Sequence, residues 1–267
     1  MSTSENARLF AELHRDGLLI LPNAWDAGSA RIIEQAGAKA IATSSAAVAW
    51  AHGYPDGEAL PQEALLTTVR EIVRVVGVPV SADIEAGYAP DAESAGEFAQ
   101  RILDAGAVGV NIEDGRDSPD LLCAKIERLN TVAQRAGVGL WINARIDVYL
   151  RQLAEGEAAY KETVERARRY AQAGASSIFV PGAAEESLIA NLVREVKLPL
   201  NLLAWPGLPD AAKLKSLGVR RLSAGTGLGK VVLGKTHQLA EAFLHDGNSA
   251  IFAEGPSINL NTLMKRD

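Results

Sequence analysis

Asp104-Ala-Gly-Ala-Val-Gly-Val-Asn111 combines the signals that decide the fold of this chain. A helical segment ends at Gly106, which can adopt the left-handed conformation that terminates a helix, and an apolar run of strand length follows. Variants of the same phrase occur at three other places, namely Gln35–Ala42, Gln172–Phe179 and Ser216–Ser223. This recurrence predicts a chain built from repeated strand and helix units.

Four further strands are predicted outside these phrases: Leu18–Pro22, Val78–Ile84, Gly139–Arg145 and Leu198–Ala204. Helices are predicted near residues 62–76, 120–136 and 184–196, and Asn23–Asp26 is expected to form the loop after the first strand. The strands are almost continuously apolar, which is typical of strands covered on both faces. Eight strand–helix units in 267 residues predict an α/β fold of the (β/α)8 TIM-type barrel class. An open doubly wound sheet is the alternative, but the glycine-rich turn expected after its first strand is missing.

No linker or low-complexity segment divides the chain, so one domain over residues 1–267 is predicted. A C-terminal helical extension is expected from about Gly229 onward, and it includes a helix over Lys230–Phe243 and a short appendage from Gly255. The apolar residues of this helix are available for burial. They pack either on their own barrel or on a neighbouring subunit, and the sequence leaves both arrangements open.

The composition excludes several classes of partner. Hydrophobic residues make up 48% of the chain, the net charge is −6 and no basic cluster stands out, so neither nucleic acid nor an anionic membrane is expected as a partner. The single cysteine, Cys123, excludes an intramolecular disulfide and a thiolate metal cluster. The N-terminus does not resemble a secretory signal, and the apolar runs are too short to span a bilayer, so a cytoplasmic location is expected.

Acidic residues concentrate where the predicted strands end, which is where barrels of this class carry their active sites. Asp83 and Glu85 are two residues apart and are predicted to point the same way from one strand. Glu113 ends the next strand, and Arg145 ends the one after it. Carboxylates crowded together repel one another unless a cation lies among them, and oxygen ligands suit Mg²⁺ or Mn²⁺. A guanidinium beside such a metal is a suitable receptor for a 2-oxo acid and its enolate.

Each of these features also has a purely structural explanation. A single acid at a strand end can cap a helix or form an ion pair, and Thr43-Ser-Ser45 can be a helix cap. A tight turn explains Gly225–Gly229, which stands where many barrels bind phosphate, and His52 is expected at the surface. For Asp83, Glu85 and Glu113 together, this explanation leaves their mutual repulsion uncompensated, so the metal site is favoured.

Six motifs in matching order resemble the isocitrate lyase/phosphoenolpyruvate mutase superfamily, from about Leu18 to Gly227. The motifs are Asn23-Ala-Trp-Asp-Ala-Gly-Ser-Ala-Arg-Ile32, Thr43-Ser-Ser45, Gly53-Tyr-Pro-Asp56, Ala82-Asp-Ile-Glu-Ala-Gly-Tyr88, Asn111-Ile-Glu-Asp114 and Asn143-Ala-Arg-Ile-Asp147. The resemblance implies a (β/α)8 barrel whose last helix is exchanged between subunits of a homodimer or homotetramer. It also implies Mg²⁺ and a small 2-oxo carboxylic acid, or its enolate, as ligands.

The resemblance also implies roles for individual residues. Asp83 would bind the metal directly, and Asp56, Glu85 and Glu113 would hold it through water molecules. Arg145 would bind the substrate carboxylate from one side and act with Glu113 as the catalytic pair. From the other side, hydroxyl and backbone N–H groups would come from Ser44, Ser45 and Ala46.

The chain departs from the superfamily pattern on the other half of the predicted site. The segment Asp114–Asp120 stands where the lyases carry a Lys-Lys/Arg-Cys-Gly-His motif, and it contains neither Cys nor His. Pro181 stands near the place of an expected His or Glu, and Leu203-Ala-Trp-Pro206 replaces the Asn-x-Thr-Glu of the lyases. The matching residues are those that hold the metal and the enolate, whereas the residues that select the substrate and move the proton differ.

These observations predict a Mg²⁺-dependent enzyme that acts on a 2-oxo acid as a carbon–carbon lyase or decarboxylase. One alternative is a 2-oxo acid binding protein with little turnover, and a second is a C–P bond hydrolase or mutase. Phosphoryl chemistry of the phosphoenolpyruvate type would need a basic phosphate clamp, and the loop after Glu113 offers only Arg116.

Overall fold

The computed structural model describes residues 2–253 and 258–265. Its strands are β1 (Leu19–Leu21), β2 (Asn23–Ala24), β3 (Ile41–Thr43), β4 (Val80–Asp83), β5 (Gly109–Glu113), β6 (Trp141–Arg145), β7 (Ser177–Phe179), β8 (Leu200–Leu203) and β9 (Arg221–Ser223). Its α-helices are α1 (Thr3–Glu12), α2 (Ala27–Gln35), α3 (Ser45–Ala51), α4 (Gln62–Val75), α5 (Ala92–Asp104), α6 (Pro119–Ala136), α7 (Gly156–Gln172), α8 (Glu186–Glu195), α9 (Ala211–Ser216), α10 (Gly227–Asp246) and α11 (Leu260–Leu263). A 3₁₀ helix covers Ser249–Ala253.

The strands form one parallel sheet in the order β1-β9-β8-β7-β6-β5-β4-β3-β2. β1 pairs with β9, and β2 pairs with β3 at the other end of this order. The two pieces β1 and β2 are separated only by Pro22, which has no backbone N–H to continue the ladder. The sheet therefore closes on itself into a ring of eight positions, which confirms the predicted barrel and rules out the open doubly wound sheet.

The repeated phrase has the predicted local structure at all four places. Gly37, Gly106, Gly174 and Gly218 follow helix ends with φ of 102°, 93°, 98° and 91°, a region that side chains disfavour. At Gly106 an added Cβ would lie 2.8 Å from Cγ1 of Val73, so the turn also packs closely against α4. The first strand was predicted less well, because Asn23–Ala24 is a strand that pairs with β3 and not a loop.

Helix α1 closes the end of the barrel at which the strands begin. Phe10 is fully buried there in a cluster with Leu19, Leu21 and residues at or just before the start of β3 and β5. A Cβ at Gly109 would lie 2.7 Å from Cε1 of Phe10, so glycine makes room for the ring at the start of β5. The His14 ring stacks on Trp141 at 4.1 Å, and burial lowers the pKa of His14 to about 3, which keeps the imidazole neutral. This closed floor leaves the opposite end, where the strands finish, open to ligands.

Helix α10 leaves the body of the barrel. Within it only Gly229 is buried, whereas Leu244 is 84% exposed and Val231 is 71% exposed. The arrangement in which this helix packs along its length on its own barrel is therefore wrong. Chain contact resumes at α11, where the carbonyl of buried Leu263 accepts a hydrogen bond from Arg31 Nε at 3.0 Å.

The predicted C-terminal extension lies partly outside the described residues. Residues 254–257 and 266–267 of the extension are not described, and neither is the start of the appendage predicted from Gly255. Within the described ranges, no helix combines the length and the apolar character needed to cross a membrane.

Candidate active site

The last residues of three adjacent strands assemble the centre of the site. In the register of the sheet, Asp83 at the end of β4 is paired with Asn111, and Glu113 at the end of β5 is paired with Arg145 at the end of β6. Parallel strands finish at the same edge of a sheet, so these side chains meet at the open end of the barrel. The structure thus brings together three of the residues that the sequence singled out.

Asp83 is held by backbone N–H groups on both sides. Its Oδ2 accepts a hydrogen bond from the N–H of Ser45 at 3.2 Å, and its Oδ1 accepts one from the N–H of Glu85 at 3.4 Å. Burial raises the pKa of the Asp83 carboxyl, while Arg145 and these N–H groups act in the opposite direction. The carboxyl group is therefore fixed in place, and a nearby positive charge stabilises its ionised form.

Arg145 lies between two carboxylates. Its Nη1 is 2.5 Å from Oε2 of Glu113, and its Nε and Nη2 donate to the two oxygens of Asp147 at 2.7 and 3.1 Å. The bidentate pair with Asp147 fixes the plane of the guanidinium. Burial raises the pKa of Glu113 to about 8, with Arg145 opposing this shift and Asp147 and Asp83 adding to it. In the structure Glu113 and Asp147 are thus the partners of Arg145 at this edge.

Glu85 reaches the site by a route that the sequence analysis did not foresee. The strand ends at Asp83, and Glu85 has a left-handed backbone with φ of 49°, so strand alternation does not set its direction. Its carboxylate accepts hydrogen bonds from the Tyr88 hydroxyl at 2.9 Å and from the Glu58 N–H at 2.7 Å. Burial raises the pKa of Glu85 to about 7; the Tyr88 hydrogen bond opposes this, and the charges of Asp83 and Asp56 add to it.

The remaining predicted site residues lie at the start of α3 and on the loop that follows this helix. Ser44 is the N-cap of α3, and its hydroxyl accepts a hydrogen bond from the Ala47 N–H at 3.5 Å, while Ala46 is buried in the first turn. Asp56 is exposed on the loop between α3 and α4. In the described part of the chain, no group of three or more His, Cys, Asp or Glu side chains is close enough to hold a metal ion directly.

Several residues that the sequence analysis considered lie outside the site. Asp114 points away from the barrel centre, where it accepts hydrogen bonds from the Tyr170 hydroxyl at 2.7 Å and from Arg166 at 2.9 Å. His52 is exposed at the end of α3, and its Nε2 lies 2.9 Å from the hydroxyl of Thr68 on α4. Gly225 has φ of 56° and the N–H of Gly227 donates to the carbonyl of Ala224 at 3.1 Å, which is the expected tight turn, and α10 begins at Gly227.

The sequence matches the family model described as phosphoenolpyruvate phosphomutase over residues 10–244. The chain belongs to this family. It is 30% identical over 214 residues to an oxaloacetate decarboxylase of Pseudomonas fluorescens strain SBW25, an alignment that covers 76% of this chain and 72% of that protein. It is also 30% identical over 210 residues to a 2-methylisocitrate lyase of Halalkalibacterium halodurans, covering 74% of this chain and 67% of the relative.

A crystal structure from Burkholderia cenocepacia J2315, provisionally named a phosphonomutase, is 38% identical to the chain and superposes with a TM-score of 0.85. The superposition covers 89% of this chain and 99% of that structure. Membership of the phosphoenolpyruvate phosphomutase family confirms the resemblance found in the motifs. The two curated relatives are named for reactions that break carbon–carbon bonds, whereas the Burkholderia protein is named for phosphonate chemistry.

The structure places two further arginines at or beneath the site, Arg151 and Arg221, which were not predicted from the sequence. Arg151 Nε donates to Asp147 at 2.8 Å, and its Nη2 is 3.5 Å from Oε1 of Glu113. It lies six residues beyond the end of β6. The one feature of the sequence that could have predicted its pairing with Asp147 is their spacing of four residues. About a third of its side chain is exposed at the site.

The second cation, Arg221, is the first residue of β9, so a search for polar residues at the ends of strands does not find it. It is fully buried inside the barrel, where its Nη2 donates to Asn111 Oδ1 at 3.1 Å and its Nε donates to the Ser223 hydroxyl at 3.3 Å. Burial lowers the pKa of Arg221 to about 9, and the Asp83 carboxylate opposes this shift. The interior beneath the site is therefore polar and positively charged.

Proposed function

We propose that this protein is a Mg²⁺-dependent enzyme that acts on a 2-oxo acid or its enolate, as a carbon–carbon lyase or decarboxylase. The observation that carries the proposal is the position of Asp83 at the end of β4, beside the Glu113–Arg145 pair at the ends of β5 and β6. The two curated relatives, named for oxaloacetate decarboxylation and 2-methylisocitrate cleavage, support this reaction class. Mn²⁺ is the alternative metal.

The donor set suits a hard divalent cation. Asp83, Glu85 and Glu113 offer only oxygen atoms, and burial raises the pKa of all three carboxyl groups, so a bound cation would stabilise their ionised forms. Direct coordination by Asp83, with water molecules between the ion and Glu85, Glu113 and Asp56, agrees with carboxyl groups that do not form a closed cage. When bound, Mg²⁺ would polarise the keto oxygen of a 2-oxo acid and stabilise negative charge that develops there.

The protein groups would hold the substrate from two sides. Arg145 would bind the substrate carboxylate with the N–H groups that Glu113 and Asp147 leave free, and Glu113 would keep the guanidinium oriented. From the other side, Ser44, Ser45 and Ala46 would contribute at the start of α3. We also propose that the barrel and its extension form one domain and that the protein acts in the cytoplasm.

The function is tested with purified protein, Mg²⁺ and three separate substrates: oxaloacetate, 2-methylisocitrate and a phosphonate such as phosphonopyruvate. Oxaloacetate or 2-methylisocitrate is expected to be cleaved to a 2-oxo acid. Removal of Mg²⁺ with a chelator should stop the reaction. Calorimetric binding with no product from any substrate would support the binding-protein alternative, which the loop without Cys or His after Glu113 favours. Turnover of the phosphonate alone would support a C–P bond hydrolase or mutase.

We further propose that α10 is exchanged between the subunits of a homodimer or homotetramer. The helix exposes Leu228, Val231, Val232, Phe243 and Leu244, and Gly229 is its one buried residue. Large exposed apolar side chains in this number on one helix indicate a protein interface.

The variant Val231→Asp is expected to shift the oligomer toward monomer in sedimentation analysis, because it places a charge beside Leu228 on the proposed interface. Thr236→Asp is the matched control, since Thr236 lies on the same helix about 140° around its axis from Val231, and its hydroxyl bonds the helix backbone. A monomeric unaltered protein, or equal effects of the two substitutions, would contradict the exchanged helix.

A further inference from the structure

Three residues near the end of β4, Glu58, Glu85 and Tyr88, form a closed ring of hydrogen bonds through their side chains and two backbone N–H groups. The N–H of Glu58 donates to Oε2 of Glu85 at 2.7 Å, and the Tyr88 hydroxyl donates to Oε1 of the same carboxylate at 2.9 Å. Oε1 of Glu58 in turn accepts a hydrogen bond from the N–H of Tyr88 at 2.7 Å. The ring connects the loop between α3 and α4, which carries Asp56, to the loop between β4 and α5.

All three members of the ring have strained backbones. Glu58, Glu85 and Tyr88 have φ of 58°, 49° and 53°, and among the described non-glycine residues only Gln152 shares this left-handed region. Each such residue costs on the order of 1 kcal/mol and persists only where its surroundings impose it. The mutual hydrogen bonds of the ring are such a constraint.

Tyr88 is the fixed point of the ring. Its carbonyl accepts a hydrogen bond from Gln62 Nε2 at 2.9 Å, and Gln62 is held in turn by Arg101 on α5 at 3.0 Å. Its ring packs on Phe98 with 5.3 Å between centroids. Glu58, by contrast, lies on an exposed loop, so its position depends on its bonds to Tyr88 and Glu85.

We propose that Glu58 is a positioning residue, which fastens the loop carrying Asp56 to the end of β4 and fixes the orientation of the Glu85 carboxylate. Both Glu85 oxygens already accept one hydrogen bond, and each keeps a lone pair that can accept a bond from water. The ring therefore leaves both Glu85 oxygens able to bind a water molecule of the metal. The expected effect on metal binding rests on the proposed function, whereas the hydrogen-bonded ring does not depend on it.

The test measures backbone hydrogen exchange over residues 52–60 and the Kd for Mn²⁺ in the full-length protein. Glu58→Ala removes the acceptor for the Tyr88 N–H, so exchange is expected to rise by about tenfold and the Kd to rise several-fold, because one hydrogen bond of the ring is lost. Glu58→Gln keeps a carbonyl oxygen at this position and should restore both values to within about twofold. Glu97→Ala, on the exposed face of α5, is the control and should change neither.

Tyr88→Phe separates the two parts of the proposal. It removes only the hydroxyl bond to Glu85, so the Mn²⁺ Kd should rise while exchange over 52–60 stays near that of the unaltered protein. Unchanged exchange and Kd in Glu58→Ala would overturn the inference, and so would an equal defect in Glu58→Gln. If the unaltered protein binds no Mn²⁺, the proposed function fails, and the exchange measurement alone still decides whether Glu58 fastens the loop.

Discussion

Asp83→Ala is expected to abolish Mg²⁺ binding and 2-oxo acid binding and to lower kcat/KM by at least about a thousandfold, since both ligands are proposed to meet at this carboxylate. No other acid can replace it, because Glu113 is paired with Arg145 and Glu85 is engaged by Tyr88 and Glu58. Calorimetric titration with Mg²⁺, followed by titration with a 2-oxo acid in the presence of Mg²⁺, measures the two losses separately.

Two further variants make this result interpretable. Asp83→Asn keeps the shape and an oxygen that can accept the Ser45 N–H, so a comparable loss of binding in Asn and Ala would assign the effect to the charge. Asp104→Asn changes an exposed acid at the end of α5 and should leave binding unaltered. Tight binding of metal and 2-oxo acid by Asp83→Ala would contradict the proposed function.

Phe10→Ala is expected to have the largest effect on stability, lowering the free energy of unfolding by about 3–5 kcal/mol. The ring is fully buried at the floor of the barrel, and it fills the space that Gly109 leaves open. Removal of the ring would leave a cavity between α1 and the start of the strands, where neighbouring strands cannot close in without breaking their ladders. The shift in the midpoint of chemical denaturation measures the loss.

Leu153→Ala is the control for this prediction, since Leu153 is 49% exposed and its truncation should cost less than about 1 kcal/mol. Gly109→Ala tests the same contact from the opposite side, because the added methyl group would collide with the Phe10 ring. Equal stability of Phe10→Ala and Leu153→Ala would show that α1 does not close the barrel.

Local patterns were enough to predict the barrel and much of its site. The glycine that follows each helix end, such as Gly106, has the left-handed backbone that the phrase predicted. Asp83, Glu113 and Arg145 were found because strand ends share one edge of a parallel sheet, whatever the detailed packing. The prediction that the first strand ends at Pro22 was wrong, because the strand resumes immediately after Pro22 as β2.

The errors arose where the backbone or the partner of a side chain depends on distant residues. Glu85 was placed by strand alternation, but its strand ends two residues earlier and the ring with Glu58 and Tyr88 sets its direction. Arg221 was overlooked because its neighbour Asn111 is 110 residues away in the chain. Neither arrangement has a short-range signature in the sequence.

The sequence by itself therefore determined the strand–helix repeat, the closed barrel and the edge at which the acids gather, because periodicity, helix ends and strand direction are local properties of the chain. Only the tertiary structure decided that Arg145 and Arg151 share Asp147, that Arg221 lies beneath Asp83, and that Glu58 holds Glu85. Those pairings depend on strand register and on the approach of separate loops, which form only when the barrel closes.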